Sequence, residues 1–328
     1  MLILAGDVGG TKTLLALFDP GPPLRPIHVE RYPSASFASL EAMVEVFRRE
    51  APGPLSAAAL GVAGPIVGTS AVLPNLPWSV DAARLADLLA VPALSIHNDV
   101  EASLWSLELL GEDAVVALLP GAAVPTGNQA VISAGTGLGE GMLLRGGARP
   151  TAVASEAGHA DFAPRTDLEI ELFRWLRARF GRVSWERILS GPGLVSVHAF
   201  LSATGRGDEP RSVSAAIEEG SDAAAAISTA AIDGTSERCA LALDLFAGAY
   251  GAEAGNLVLR AVATGGVFLG GGIARRVLPW LRREPFRRGF LEKGRLSPLV
   301  AAAPVKVITD ERAALLGAAR CAAERLGP

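Results

Sequence analysis

Three times in this chain a short apolar strand runs directly into a cluster of glycines: Gly6-Asp-Val-Gly-Gly-Thr11, Ala134-Gly-Thr-Gly-Leu-Gly139 and Leu269-Gly-Gly-Gly-Ile273. Glycine reaches positive φ without strain and lets backbone N–H groups approach an anion, so each turn is a candidate phosphate cradle. Taken alone, each reads first as an ordinary hairpin turn. What surrounds the turns narrows the choice. No Gly-x4-Gly-Lys-Ser/Thr is present, which excludes a P-loop. A dinucleotide fingerprint needs a glycine turn that opens a helix, whereas the second turn here leads into Met142-Leu-Leu144, a strand. The first turn carries an acid, Asp7. A carboxylate beside a phosphate repels it unless a divalent cation such as Mg²⁺ stands between them. Lys12 and the hydroxyls of Thr11 and Thr136 supply donors for phosphate oxygens.

With 328 residues the chain suits roughly two domains of about 150 residues each. Half the residues are hydrophobic and the formal net charge is −4, which excludes disorder and argues against a nucleic-acid or anionic-membrane binder. Cys239 and Cys321 are too few for a disulfide framework or a four-thiolate zinc site, and they fit a reducing cytoplasm. Met1–Asp7 lacks the basic start of a signal peptide, and no apolar run approaches the length of a membrane span.

Apolar patterning places a hairpin over 2–19, strands at 27–32, 57–63 and 93–97, and helices at 40–50 (capped by Ser39), 81–90 and 101–110. The second half reads as strands at 114–119, 129–134 and 142–144 around a glycine turn over 135–141. Helices follow at 169–180, 193–202 and 236–265, then a strand at 267–269, a glycine turn over 270–272 and a helix at 273–281. A strand at 305–308 and a closing helix at 311–325 end the chain, and the alanine-rich stretch 215–231 reads as helix. Alternating strands and helices imply an α/β fold with mixed sheets, and the recurring strand-turn-strand suggests two related halves.

Polar residues gather at three further places. Asn98-Asp99 falls where a strand gives way to a helix; strand C-termini are the usual ligand edge of such sheets, and Asn or Asp there is also a plain helix cap. Glu156 and His159 are three apart and face one way. A metal pair of that kind needs further acids and a second Glu-x-x-His, which are absent, so recognition of sugar hydroxyls is the better reading. Glu186, before Ser190-Gly-Pro-Gly193, would by itself be a solvated helix residue. His28, His97 and His198 have no acidic or glycine-rich context and read as structural. The segment Arg275–Arg295 holds eight Lys/Arg against two acids and reads as a solvated face.

In this order and spacing the motifs resemble the sugar kinase, heat-shock ATPase and actin superfamily, and within it the bacterial glucokinase family. The resemblance rests on Gly6–Thr11, Ile96-His-Asn-Asp99, Ala134–Gly139, Glu156-Ala-Gly-His-Ala-Asp-Phe-Ala-Pro164, Glu186–Leu194, Gly265–Ile273 and Leu315-Leu-Gly317. It implies a two-domain actin-like ATPase (ribonuclease H-like) fold with a cleft between the domains. Residues 1–109 plus about 305–328 would form the small α/β domain and 110–304 the large one. The implied reaction is transfer of the ATP γ-phosphoryl to the 6-hydroxyl of glucose. Asp99 would be the general base, and Asn98, Asp99, Glu156, His159 and Glu186 would contact the sugar. The nucleotide would be held by Gly6, Asp7, Gly9, Gly10, Thr11 and Lys12, by Gly135, Thr136 and Gly137 within a phosphate turn reaching Gly139, and by Gly270, Gly271, Gly272 and Ile273 beside the adenosine. Asp7 would hold Mg²⁺ through water. Ala160–Thr166 lacks the cysteines by which some sibling sugar kinases bind zinc, so no structural zinc is expected. The expected enzyme is a cytoplasmic homodimer that acts on glucose and ATP and engages neither nucleic acid nor membrane. Two positions depart from the family pattern: Ala157 stands where Glu-Gly-Gly-His is usual, and Val100 where Asn-Asp-Phe is usual. The methyl group at 157 leaves a kinase for another hexose or an amino sugar as the alternative. A sugar-sensing regulator on the same fold would carry a helix-turn-helix ahead of the first turn, which begins at Gly6.

Overall fold

The computed structural model describes residues 2–51, 53–73 and 76–326. The chain divides into two compact units, one of residues 1–114, 152–154 and 310–328 and the other of residues 115–151 and 155–309.

In the first unit β1 (Leu2–Val8) and β2 (Lys12–Asp19) form the hairpin around the first glycine turn, with Asp7 opposite Leu14 and Val8 opposite Thr13. Strand β3 (Arg25–Pro33) extends it beyond β2. On the other side β4 (Leu55–Val62) lies parallel to β1. A small antiparallel sheet of β5 (Ile66–Val67), β6 (Ser70–Val72) and β7 (Ser79–Asp81) follows, and β8 (Leu94–Asn98) then returns parallel to β4. The near-continuous apolar runs of β1 and β4 are what a sheet covered on both faces requires. Alternate residues serve two cores. Leu4, Val8, Ala58, Leu60 and Val62 meet Met43, Val44 and Phe47 of the helix Leu40–Glu50 and Leu85 of the helix Ala82–Leu89. Ile3, Ala5, Ala57 and Ala59 meet Leu315, Ala318, Ala319 and Ala322 of the C-terminal helix Ala313–Glu324. Ser39 and Asp81 cap the first two helices by accepting from the backbone N–H groups of Ala42 and Arg84.

The second unit holds β9 (Val115–Leu119), β10 (Gln129–Ala134), β11 (Leu138–Leu144), β13 (Gly266–Gly270) and β14 (Val305–Ile308), ordered β11-β10-β13-β14-β9; β12 (Thr151–Ser155) lies between β11 and β13 in sequence. Strands β10 and β13 are parallel neighbours, with Ser133 beside Gly270, so the second and third glycine turns leave the same edge of one sheet. The core is organised on the 25-residue helix Glu237–Ala261, which buries Leu243, Phe246, Tyr250, Leu257 and Val258. Among the described residues no helix is long and apolar enough to cross a membrane.

Several elements differ from the sequence expectation. The helix expected at 101–110 spans Asp99–Ser106, because Asn98 caps it through Val100. The turn expected over 135–141 closes at Leu138. Gly139 and Gly141 instead pair with Ser133 and Val131 in the sheet. Gly271 and Gly272 already belong to a short helix, Gly271–Arg276, and a break at Val277 separates it from Leu278–Leu281. The alanine-rich stretch forms two helices, Arg211–Glu219 and Ala223–Ile232. The small sheet β5–β7 was not foreseen; strands of two or three residues leave no period to detect.

Candidate active site

In the first unit the parallel strands β1, β4 and β8 end side by side, with Asp7 beside Gly61 and Val62 beside Asn98. The glycine turn is short because the Gly9 N–H closes it on the Lys12 carbonyl at 3.1 Å. Ser34 braces it from outside: its Oγ donates to the Gly9 carbonyl at 2.7 Å and lies 3.0 Å from Thr13 Oγ1, while its N–H donates to the Thr11 carbonyl. Thr11 is thereby left exposed at the tip, with Gly10 partly covered beside it. Gly6 is set back inside β1, where a Cβ would stand 2.5 Å from Leu60 Cδ2; its lack of a side chain serves strand packing.

Asn98 spends both ends of its amide locally. Its Oδ1 accepts from the Val100 N–H at 2.9 Å and its Nδ2 donates to the Gly64 carbonyl at 3.3 Å. Asp99 opens the helix, and its Oδ1 accepts from the same Val100 N–H at 3.0 Å. Asp7 has its carboxyl pushed up to about 7, first by burial and then by the charge of Asp99, with Lys12 opposing. A buried carboxyl raised further by a neighbouring acid fits a divalent cation. The Lys12 ammonium lies 3.0 Å from Glu311 Oε2, which also takes Arg31 at 2.7 Å.

In the second unit the turn Gly135–Gly137 is held at both ends. The Gly135 N–H donates to the Gly137 carbonyl and the Gly135 carbonyl accepts from Gly191 N–H, each at 2.9 Å. Glu186 Oε2 accepts from the Leu138 N–H at 3.0 Å, and a Cβ on Gly137 would come 2.7 Å from that oxygen. A Cβ on Gly135 or Gly272 would meet nothing within 4 Å, and Thr136 is exposed, so this edge leaves room for a ligand. The 3₁₀ turn Ala157–His159 packs on β11 so closely that a Cβ on Gly158 would stand 2.1 Å from the Leu138 carbonyl oxygen. That contact brings His159 Nδ1 to 4.0 Å from Glu186 Oε1. Glu156, the residue before the turn, is exposed. On the neighbouring strand Gly270 caps the short helix and Ile273 is buried behind it. Gly271 has φ +83°, and a Cβ there would strike the Ala134 carbonyl oxygen at 2.2 Å, so only glycine lets the two turns abut.

The structure therefore groups Asp7, Asn98 and Asp99 in one unit, and Gly135–Gly137, Glu156, His159, Glu186 and Gly270–Ile273 in the other. Sequence reasoning missed Ser34, Glu311 and Tyr250. The buried Tyr250 hydroxyl donates to the Ile132 carbonyl at 3.1 Å with Gly270 O at 3.4 Å, tying the strands beneath both turns. No local pattern marks any of the three. The remaining histidines, expected to lack acidic neighbours, each have one in the fold. His97 Nδ1 lies 2.8 Å from Glu101 Oε1, His198 Nε2 lies 2.6 Å from Glu209 Oε2, and His28 stands 3.5 Å from Glu30. The strand-to-helix junction hides the first pair in the sequence, a long separation the second, and strand alternation the third.

Two mixed sheets flanked by helices, each carrying glycine turns at its strand ends, define a sugar kinase of the actin-like fold. The family model described as Glucokinase matches residues 4–325. A glucokinase of Nostoc sp. is 39% identical, covering 98% of this chain and 99% of its own. The crystal structure of a glucokinase from an Antarctic psychrotroph is similar at a TM-score of 0.85 and 30% identity, with 98% of this chain and 99% of that chain covered. A ROK family glucokinase from Streptomyces griseus, solved in complex with glucose and AMPPNP, shares the fold at a TM-score of 0.67 and 21% identity over the whole of both chains. The chain belongs to the glucokinase family.

Proposed function

We propose that this enzyme phosphorylates the 6-hydroxyl of glucose with ATP, giving glucose 6-phosphate, and that Asp99 is its general base. The observation that carries the assignment of the base is the position of Asp99. It is a carboxylate at the C-terminal edge of β8, held by the Val100 N–H and placed close enough to Asp7 to raise that carboxyl. Asp99 accepts the hydroxyl proton as the sugar oxygen attacks the γ-phosphorus, help worth about 10²–10⁴-fold in rate. Asn98 keeps one amide hydrogen and one lone pair for sugar hydroxyls after its two local bonds. Glu186 uses Oε2 on the turn and offers Oε1 to the sugar, with His159 beside it and Glu156 completing the set. Sharing Glu186 between sugar and phosphate turn would align the two substrates for an in-line reaction.

The N–H groups of Gly9–Thr11 and Gly135–Gly137 receive phosphate oxygens, and Lys12 can turn from Glu311 to join them. Gly270–Ile273 lies beside the adenosine. Asp7 fits Mg²⁺ held through water, because a cation offsets both the burial and the Asp99 charge that raise its carboxyl. When bound, Mg²⁺ neutralises charge on the β- and γ-phosphoryl oxygens.

The test combines a substrate panel with one variant. Purified enzyme is assayed with glucose, mannose and amino sugars against ATP, ADP and polyphosphate, and glucose with ATP is expected to give the highest kcat/KM. Asp99→Asn is expected to retain glucose binding and to lose about 10²–10⁴-fold in kcat. A near-normal kcat in that variant refutes the base assignment, and preference for another sugar refutes the substrate.

A further inference from the structure

Away from every residue assigned above, three different metal-ligating side chains converge inside the second unit. His198 lies on the helix Gly191–Ala203, Glu209 in the segment that follows it, and Cys239 in the first turn of the helix Glu237–Ala261. One donor atom from each falls within 4.8 Å of the others. His198 Nε2 is 2.6 Å and Cys239 Sγ 3.4 Å from the same oxygen, Glu209 Oε2. The group is enclosed: the side chains of His198 and Glu209 are 10% and 2% exposed, and Cys239 is fully buried.

We propose that His198, Glu209 and Cys239 form a structural site for a single divalent transition-metal ion, of which Zn²⁺ is the best match. The donor set of imidazole nitrogen, carboxylate oxygen and thiolate sulfur suits a borderline-soft cation and not Mg²⁺ or Ca²⁺. With bonds of about 2.0–2.3 Å, tetrahedral ligand atoms stand about 3.3–3.8 Å apart. The Cys239–Glu209 separation already has that value, and the His198–Glu209 separation must open by about an ångström to admit the ion. The surroundings hold the carboxylate in a ligating orientation. Glu209 Oε1 accepts from Ser214 Oγ at 2.8 Å and from Arg238 Nη1 at 3.1 Å, which turns Oε2 toward the other donors, and such outer partners typically fix first-sphere ligands. Ser236 Oγ, 3.2 Å from Oε2, or a water fills the fourth position. Charge balances as well: one carboxylate and one thiolate neutralise a dication, with Arg238 on the outer oxygen. Burial pushes the Cys239 thiol up to about 11, so it keeps its proton when no cation is present. As the sulfur–metal bond forms, that proton leaves to solvent. The sequence hides the site because its ligands are spaced 11 and 30 residues apart, unlike any short zinc motif. The ion would tie one segment to two helices of the second unit, a structural role.

The experiment titrates the full-length protein, stripped of metal by a chelator, with Co²⁺ and then Zn²⁺. The expected result is uptake of one Co²⁺ per chain with a near-ultraviolet thiolate-to-cobalt charge-transfer band, loss of that band on adding Zn²⁺, and a higher Tm with either ion. Cys321→Ser is expected to behave as the parent, and Cys239→Ser to lose the band. His198→Gln is expected to weaken binding at least tenfold. No saturable uptake by the parent chain overturns the proposal, whatever the variants do. So does uptake without the charge-transfer band, or a band that persists unchanged in Cys239→Ser.

Discussion

Replacing Glu140 with glutamine should make the protein more stable, by a margin that opens above about pH 5 and is complete near pH 8. Glu140 follows the second glycine turn within β11, is fully buried, and lies next to the equally buried Glu253. A single guanidinium, Arg260, reaches both: its Nη1 is 3.3 Å from Glu140 Oε2 and also bonds Glu253. Glu253 has a further donor in Asn256 Nδ2 at 2.7 Å. Lys293 acts on Glu253 through its charge, while its own ammonium is spent on Ala252 O and Asn256 Oδ1. Among the described residues Glu140 Oε1 has no hydrogen-bond donor. An unserved oxygen on a buried carboxyl beside a second one is where a proton belongs, and the Glu140 carboxyl is raised to about 8, first by burial and then by the Glu253 charge, against Arg260. The sign follows from linkage. The folded chain binds a proton that the unfolded chain has released, so stability is greatest at low pH and declines as pH rises from about 4.5 to about 8. At 1.36 kcal/mol per unit the full shift corresponds to about 5 kcal/mol; water reaching the ionised pair reduces this, and we expect about 2–4 kcal/mol. Glutamine mimics the protonated acid, with its amide donating to Glu253. Urea unfolding of the parent and Glu140→Gln at about pH 5 and about pH 8.5 checks this. The two should agree within about 1 kcal/mol in acid, and the variant should lead by about 2–4 kcal/mol in base. A gap that is the same at both pH values refutes the shared proton.

Tyr250→Phe removes the hydroxyl that ties the carbonyl ends of β10 and β13 while preserving the ring, and should lower stability by about 1 kcal/mol in urea melts. An unchanged midpoint would show that tie to be idle. Gly317→Ala places a Cβ 1.7 Å from the Ala102 carbonyl oxygen and should cost about 1–3 kcal/mol, together with a fall in kcat, since the helix it displaces carries Asp99. Full stability in that variant would contradict the close seat of the C-terminal helix.

What the sequence reveals well is whatever the local backbone decides. The helix Leu40–Glu50 begins behind its Ser39 cap with Met43, Val44 and Phe47 inward, as the 3.6-residue period requires. The first hairpin turns where Gly9 and Gly10 stand. Glycine spacing misleads where a glycine serves close approach instead of a turn. Gly139 and Gly141 sit in a strand, and Gly251 and Gly255 let the helix Glu237–Ala261 press on the backbone of Phe286 and Phe290, where a Cβ would stand 2.0 and 2.6 Å from carbonyl oxygens. Many glycines of this chain are therefore packing residues. The candidate site divides in the same way. Asp7, Asn98 and Asp99 are visible as acids and amides at strand ends, whereas Ser34 on Gly9, Glu311 on Lys12 and Glu209 on His198 are pairings that only the folded chain creates.

The position of Asp99 shows how far such pairings reach. Gly61 on β4 has no side chain, and a Cβ there would stand 2.9 Å from Ala102 Cβ and 3.7 Å from Asp99 Cα, so the helix Asp99–Ser106 lies directly on the strand. The carbonyl of the same Ala102 meets Gly317 of the C-terminal helix with no room for a methyl group. Strand, helix and C-terminal helix thus meet through three of the smallest residues, Gly61, Ala102 and Gly317, and dense packing of this kind transmits displacement instead of absorbing it. That packing seats the helix that carries Asp99, whose charge adds to burial in raising the Asp7 carboxyl. The distance between the two acids is set in part by a helix whose residues lie more than 200 positions later in the chain. Leu315-Leu-Gly317, which seems at first only a resemblance in a closing helix, acquires a physical reason: a larger residue at 317 would move the proposed base.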